Sequence, residues 1–225
     1  MSKDIRTKAF VLRRTNYGES DRILNLLTEN GAVSAIAHGV RKEKSKLAGG
    51  IELFCLSDVT LHEGKNNALH TLTSARMLEY YSKIPVDLPK LELASLVLKR
   101  VSKFAEQTEG PEYFNLVFQI LSQLNTSDNL PLIETWFWFN LAKISGEEIN
   151  LYRDTAGDEL APDLTYVWDS GELALRPQIG GNIGVNEIKM MRLMLAADLR
   201  TVARVEKTTP LVPSILHIAK SVNKV

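Results

Sequence analysis

Five short strand-like segments within the first 80 residues constrain the fold of this chain more than any other feature. Each is rich in β-branched and apolar residues and is bounded by turn signals, of which Asn30-Gly31 between two apolar runs is the strongest. The predicted strands cover residues 5–15, 21–28, 32–37, 51–62 and 68–77. Five short strands at short intervals predict a small closed barrel, and their spacing fits both an OB-fold and an SH3-like barrel.

The apolar pattern changes after Pro85 and Pro89, which we interpret as a domain boundary. Apolar residues then recur at helical spacing. The predicted helices begin at Leu91, cover 113–124 and 132–144, and return from Val185 past Ala203, with a polar Gly/Asp-rich insertion at about 150–184 that holds one β-like stretch, LTYVW. The sequence therefore predicts an α+β protein, with a five-stranded barrel in residues 1–80 and a mainly α-helical domain in residues 81–225.

The composition excludes several classes of protein. The chain has 225 residues, with 27 Lys and Arg against 27 Asp and Glu, and its single cysteine, Cys55, excludes an internal disulfide framework and a multi-cysteine zinc site. No apolar run approaches the roughly 18 residues of a membrane span, and the start, MSKDIRTK, lacks an apolar signal core. We therefore expect a soluble cytoplasmic protein that makes no membrane contact.

A cluster of cations interrupts this balanced charge between the third and fourth predicted strands. Arg41, Lys42, Lys44 and Lys46 fall within six positions and are relieved only by Glu43. Four adjacent cations repel one another, but contact with phosphates and the release of condensed counterions compensate for that repulsion. Contacts of this kind reach the nucleic-acid backbone rather than base edges, so little sequence specificity is expected. Arg14 and Lys65 complete the DNA-binding residues predicted in the barrel.

A second basic surface is predicted near the C-terminus. If residues 185–207 form one unbroken helix, five cations fall within about 120° of one another at 100° per residue. They are Lys189, Arg192, Arg200, Arg204 and Lys207, and we predict that the last four bind DNA. The alternative is an ordinary amphipathic helix with a solvated charged face. A break near Asp198 would scatter the set.

No catalytic set emerges from the sequence. The glycines of IGGNIG (179–184) fit an ordinary loop better than an anion site, and the four histidines lack metal-ligand spacing. The aromatic run 136–139 points in four directions on a helix, which predicts burial rather than a stacking platform. Three functions stay open: a DNA-binding mediator without covalent chemistry, a nucleic-acid enzyme with an unrecognised active site, and an adaptor whose barrel contacts only proteins.

Residues 9–54, AFVLRRTNYGESDRILNLLTENGAVSAIAHGVRKEKSKLAGGIELF, closely resemble the N-terminal part of the RecO family of bacterial recombination mediators. The likeness lies in the strand ending in Arg, in Tyr17, Glu19 and Ser20, in the Leu-Thr before an acidic residue and Gly31, and in the order of Ala37, Gly39, Arg41 and Ser45. It continues more weakly after residue 80.

This resemblance implies an OB-fold followed by a mainly helical domain. It also implies binding of single- and double-stranded DNA at the nucleoid, annealing of complementary strands, and cooperation with RecR to load RecA onto single strands. A further implied partner is the acidic C-terminal tail of single-stranded DNA-binding protein, which we place near residues 189–207. Some family members hold zinc through four cysteines of the second domain; residues 150–180 contain none, so we expect no zinc and no cofactor.

Overall fold

The computed structural model describes residues 3–64, 69–105, 109–147, 149–205 and 210–223. The chain divides into two compact units, Met1–Thr126 and Ser127–Val225. The sequence-based division into domains at residues 80 and 81 stays a prediction. No helix in the described ranges is both long enough and apolar enough to cross a membrane.

The first unit contains a closed five-stranded barrel. Its strands are β1 (Asp4–Tyr17), β2 (Asp21–Thr28), β3 (Gly31–Ala37), β4 (Cys55–His62) and β5 (His70–Tyr80). They follow the order β1-β2-β3-β5-β4, in which only the β3–β5 pair is parallel. A five-stranded barrel of this kind is an OB-fold. The predicted α+β class with an N-terminal OB-fold is confirmed.

Alternation along the strands fills the barrel interior. Because neighbouring side chains on a strand point to opposite faces, Ala9 and Val11 of β1 face the interior together with Leu24 and Leu26 of β2. The residues between them on β1 are also buried: Phe10 is only 1% exposed. The middle of the first strand, residues 9–12, is therefore covered on both of its faces.

Two helices cover the outer face of the first strands. These are α1 (Leu88–Ala105) and α2 (Glu112–Leu124), which begin within three residues of their predicted starts and contact β1 and β2. The ring of Phe10 lies 5.1 Å from that of Phe114 and 6.5 Å from that of Tyr81, measured between centroids. The contact with Phe114 joins α2 to the barrel, and the contact with Tyr81 joins the residue just after β5 to the same side of β1.

The predicted fourth strand begins too early in the sequence. Residues Ala48–Ile51 form a 3₁₀ turn, and β4 starts only at Cys55. Ile51 has the apolar character of a strand residue, but it enters the barrel core from this turn and is fully buried. Gly50 allows the close approach, because a Cβ there would lie 2.5 Å from the carbonyl carbon and oxygen of Ala75 on β5.

In its described residues the second unit combines four helices with a small sheet. The helices are α3 (Leu130–Ile144), α4 (Val185–Ala196), α5 (Leu199–Val202) and α6 (Val212–Val222). Between α3 and α4, strands β6 (Asn150–Asp154), β7 (Tyr166–Asp169) and β8 (Ala174–Pro177) form a sheet in the order β6-β8-β7. The sequence predicted one β-like stretch here. The aromatic run 136–139 of α3 is buried at all four positions, as predicted.

The helical segment from Val185 past Ala203 is broken near Asp198, the alternative that the sequence left open. Helix α4 ends at Ala196, and Ala197 is extended with φ −118° and ψ 154°. The carboxylate of Asp198 then accepts a hydrogen bond from the Thr201 amide at 2.7 Å and so caps α5. Asp is a strong N-cap residue, and this local bond starts a new helix.

Candidate nucleic-acid interface

Residues 38–47, the basic loop, leave β3 and lie against the turn between β1 and β2. The backbone N–H of Arg41 donates to the Ser20 carbonyl at 2.9 Å. The guanidinium Nη1 of Arg41 donates to the Gly18 carbonyl at 3.3 Å. Because two bonds from one residue hold it there, the basic loop is positioned on the barrel end formed by the β1–β2 turn.

Asp21, the first residue of β2, fixes the start of the basic loop. Its carboxylate accepts the Gly39 N–H at 2.7 Å and lies 2.7 Å from Nδ1 of His38. The Gly39 hydrogen bond first, and the His38 contact second, lower the pKa of Asp21. Gly39 has φ +63°, a left-handed conformation that glycine adopts without strain. The loop therefore begins in a defined geometry around an ionised carboxylate.

Both ends of the basic loop are anchored in the barrel core. Val40 is buried at its start, and Ile51 is buried just beyond its end. Between these anchors the side chains of Arg41, Lys42, Lys44 and Lys46, the four loop cations, are all exposed. Among the described residues, none of the four forms an ion pair. Their charge is available to an external anion.

Arg14 has a different environment from the four loop cations. Its Nη1 lies 2.8 Å from a Glu52 carboxylate oxygen and 3.5 Å from the Ile51 carbonyl, and its side chain is only 24% exposed. Arg14 therefore ties β1 to the segment that follows the 3₁₀ turn. Lys65, predicted with it, lies outside the described residues.

The predicted basic residues of the second unit do not share one helix. Arg192 of α4 donates to the Leu151 carbonyl through Nε at 3.0 Å and Nη2 at 2.6 Å, and its guanidinium lies 4.7 Å from the Tyr152 ring centroid. These contacts join α4 to β6. Arg200 lies on α5 and Arg204 just beyond it, and both are exposed. Lys207 lies outside the described residues.

Tyr17 was not among the residues that the sequence predicted to bind DNA. This tyrosine ends β1, precedes the Gly18 carbonyl that Arg41 contacts, and is 55% exposed. Its strand register places it opposite Asp21, so both side chains lie on the same face of the barrel wall. An aromatic residue directly before the turn glycine was the signal that could have identified it.

The arrangement supplies charge and an aromatic face rather than reactive groups. Within the described ranges, no three His, Cys, Asp or Glu side chains lie close enough together to hold a metal ion. Cys55 is buried, and burial raises the pKa of its thiol. At the start of α4 the Gly184 N–H donates to the carboxylate of Glu187 at 2.9 Å, so a side chain of the chain itself already occupies this helix end.

A closed OB-fold barrel with an exposed cationic loop at its β1–β2 end has the architecture of oligonucleotide- and oligosaccharide-binding domains. Residues 1–81 match the family model described as "Recombination protein O N terminal".

Relatives match over most of the chain. One, named DNA repair protein RecO from Dehalococcoides mccartyi, is 32% identical over 90% of this chain and 83% of its own length. A protein of the same name from Alkaliphilus metalliredigens is 27% identical over 98% of this chain and 90% of its own length. Another from Heliobacterium modesticaldum is 33% identical over 80% of this chain and 64% of its own length. The chain belongs to the RecO family.

Proposed function

We propose that this protein acts in DNA repair as a recombination mediator that binds DNA, anneals complementary single strands and helps to load RecA onto single-stranded DNA. The observation that carries the proposal is the basic loop: four exposed cations without ion pairs in the described structure, held on one end of an OB-fold barrel. The names of the relatives, DNA repair protein RecO, support the same assignment.

The chemistry of the loop favours binding without sequence preference. Lys and Arg side chains that neutralise phosphates release condensed counterions, and this release is the main source of non-specific affinity. Phosphate contacts position the nucleic acid but do not identify its bases. A protein that anneals any two complementary strands needs this kind of recognition. We propose that it does so at the nucleoid in the cytoplasm, and without making or breaking covalent bonds.

The second unit offers a place for a protein partner. A pocket of about 250 Å³ is lined by apolar residues that include Ile149 and Leu195, by the cations Lys143 and Arg192, and by one carboxylate, that of Glu147. We propose that this pocket binds the acidic C-terminal tail of single-stranded DNA-binding protein, because a tail with carboxylates and apolar side chains needs cations beside an apolar surface. RecR is the other proposed direct partner, and RecA is reached indirectly through the loaded strand.

Replacing the four loop cations with alanine tests the proposal. We expect weaker binding of single-stranded oligonucleotides of any base composition. The slope of log affinity plotted against log salt concentration should fall by roughly 0.7 for each lost phosphate contact. Each lysine replacement should change stability by no more than about 0.5 kcal/mol, since these side chains are exposed, whereas loss of the Arg41 hydrogen bond to the Gly18 carbonyl should cost roughly 0.5–1.5 kcal/mol more. Fluorescence anisotropy at several salt concentrations, with thermal unfolding in parallel, measures both.

The matched control keeps the charges and changes only the side chains: Lys42→Arg, Lys44→Arg and Lys46→Arg together should preserve affinity and slope. An alanine variant that binds as tightly as the wild type, with the same salt dependence, would contradict the proposed role of the loop. Incubation of labelled DNA with Mg²⁺ separates the other functions. Shortened products would indicate a nuclease. If the protein does not shift the mobility of single-stranded DNA on a native gel, the barrel would be an adaptor that contacts only proteins.

A further inference from the structure

A groove runs between α1 and the barrel within the first unit, and the proposed function does not use it. It encloses about 590 Å³. The barrel side consists of Leu12 and Arg13 of β1 with Leu53 and Phe54, and α1 supplies Ser95, Leu98, Lys99, Ser102 and Lys103. We refer to it as the α1 groove.

Two backbone irregularities lie in the barrel wall of the α1 groove. The pairing of β1 with β2 shifts between Val11 and Arg13, so Leu12 is the extra residue of a β-bulge. Phe54 has φ +58°, a conformation that a bulky side chain adopts only when its surroundings impose it. Bulges redirect side chains beside functional sites, and strained residues concentrate at such sites. Both features point to a surface shaped for binding.

The charge around the α1 groove has a single sign. Its three charged lining residues are Arg13, Lys99 and Lys103, and its lining contains no Asp or Glu. All three side chains are exposed, and none of them forms an ion pair among the residues that the structure describes. Three cations that face one open space favour an anionic ligand.

The floor of the α1 groove is apolar. Leu12 and Phe54 are each 7% exposed, Leu98 is 3% exposed, and Leu53 is half-buried. These side chains offer some apolar area to a ligand, but the three lining cations face no carboxylate of the same lining. This unopposed positive charge is the feature that favours a polyanion.

The donors on α1 form a regular strip. Ser95, Lys99, Ser102 and Lys103 follow the spacing i, i+4, i+7 and i+8, which places them along one side of the helix. At 1.5 Å per residue the strip extends over about 12 Å. Hydrogen-bond donors repeated along a line match a ligand whose negative charges also repeat, as the phosphates of a nucleic-acid strand do.

We propose that the α1 groove binds the phosphate backbone of a second DNA strand while the basic loop holds the first. This inference rests on the proposed annealing function. Leu53 and Phe54 lie six and seven residues after the end of the basic loop, and both surfaces belong to the first unit. Holding both strands on one protein raises the effective concentration of each strand for the other.

Two non-complementary oligonucleotides, one with a donor dye and one with an acceptor dye, test the groove without hybridisation. With the DNA in excess over the full-length protein, the wild type should give energy transfer between the dyes. Lys99→Ala/Lys103→Ala should bind a single oligonucleotide within about twofold of the wild type but lose most of the energy transfer. The salt slope of second-strand binding should fall by about 1.4, at roughly 0.7 for each lost contact.

Lys3→Ala/Lys83→Ala, which removes two exposed lysines outside the α1 groove, is the matched control and should keep the energy transfer. If thermal unfolding shows that the alanine variant is destabilised, Lys99→Gln/Lys103→Gln keeps the side-chain stems and should give the same loss. Full energy transfer in a folded groove variant overturns the proposal. Groove substitutions that abolish binding of poly-glutamate but leave DNA binding unchanged also overturn it.

The two proposals fail in different ways. If the alanine variant of the four loop cations binds the first strand normally, the proposed function of the basic loop is wrong whatever the α1 groove does. If the loop variant loses first-strand binding and the groove variant keeps energy transfer, only the second-strand site is wrong.

Discussion

Tyr17 illustrates how strand register decides which side chains share a surface. It stands directly opposite Asp21 on the neighbouring strand, and directly opposed residues have Cβ atoms roughly 4.5–5.5 Å apart on the same face. The carboxylate of Asp21 holds the start of the basic loop through Gly39. The exposed ring of Tyr17 therefore shares a face of the barrel wall with the residue that holds the basic loop, and an aromatic face together with the loop cations suits a single strand whose bases are unpaired.

Substitution of Tyr17 tests this placement. Tyr17→Ala should weaken single-strand binding by about 1–3 kcal/mol, the usual contribution of one stacked base, and should leave duplex binding unchanged because duplex bases are not available for stacking. The salt slope should not change, since no charge is removed. Titrations of single- and double-stranded oligonucleotides at several salt concentrations measure all three quantities.

Two further variants separate stacking from other effects at this position. Tyr17→Phe retains the ring and should bind as the wild type does, whereas Tyr17→Leu retains apolar area without a π face and should resemble the alanine variant. Equal affinity of wild type and Tyr17→Ala for single strands would show that the ring is ordinary exposed surface.

For individual side chains, the sequence predicted exposure to solvent well but did not predict which distant residues a side chain contacts. The four loop cations are exposed as their local pattern suggested. Arg14 and Arg192 had the same appearance in sequence, yet each contacts a residue about 40 positions away, Glu52 and Leu151 respectively. Side-chain partners at such separations depend on the tertiary fold and leave no local signal.

At the element scale, the 3₁₀ turn Ala48–Ile51 is the feature that local patterns misassigned. Its last residue, Ile51, was predicted as the start of a strand, but the chain first passes the carbonyl of Ala75, and Gly50 makes this approach possible. The same limit applies to the sheet of β6, β7 and β8: its strands have four or five residues each, and β6 pairs in parallel with the distant β8. The break between α4 and α5 was indicated in the sequence by Asp198, a preferred N-cap residue, although the helical spacing of apolar residues continued on both sides of it.

Gly50→Ala should destabilise the protein. Its new Cβ would lie 2.5 Å from backbone atoms of Ala75, so the turn or β5 has to shift, and overpacking of this kind costs about 1–3 kcal/mol. Gly49→Ala is the matched control, because a Cβ at Gly49 meets nothing within 4 Å. Urea unfolding measures both free energies of unfolding, and equal stability of the two variants would show that the approach to Ala75 relaxes without cost.

At the scale of the whole molecule, the barrel and its two covering helices form one compact unit. Phe10 is buried on the outer side of β1 by the rings of Phe114 and Tyr81, and the first unit extends to Thr126. The class of the fold and the order of its segments were predictable, because changes in apolar period are visible in the sequence. Which elements share a core was not, because that depends on contacts such as the one between Phe10 and Phe114.

Truncation tests this organisation together with the proposed partner site. A fragment of residues 1–126 should unfold cooperatively and bind single-stranded DNA, whereas a fragment of residues 1–81 should be less stable and prone to aggregate because Phe10 loses the cover of α2. Burying a phenylalanine contributes roughly 1.5–3 kcal/mol. Circular dichroism during heating compares the two fragments.

The same fragments locate the binding of the acidic tail. A peptide of the single-stranded DNA-binding protein tail should bind the full-length protein but not residues 1–126, which lack Lys143 and Arg192 of the proposed pocket. Peptide binding to the shorter fragment would place that partner on the first unit. A stable, monomeric fragment of residues 1–81 would favour the domain division at residue 80.

The strand order of the barrel has a consequence for how the basic loop can vary. Strands β3 and β4 are consecutive in the chain, but β5 lies between them, so residues 38–54 must pass the end of β5 before β4 can begin. A deletion here would shorten the only covalent path between two sides of a closed barrel. A change of charge would leave that path intact. Barrel closure therefore sets a minimum length for this segment but does not constrain its charge.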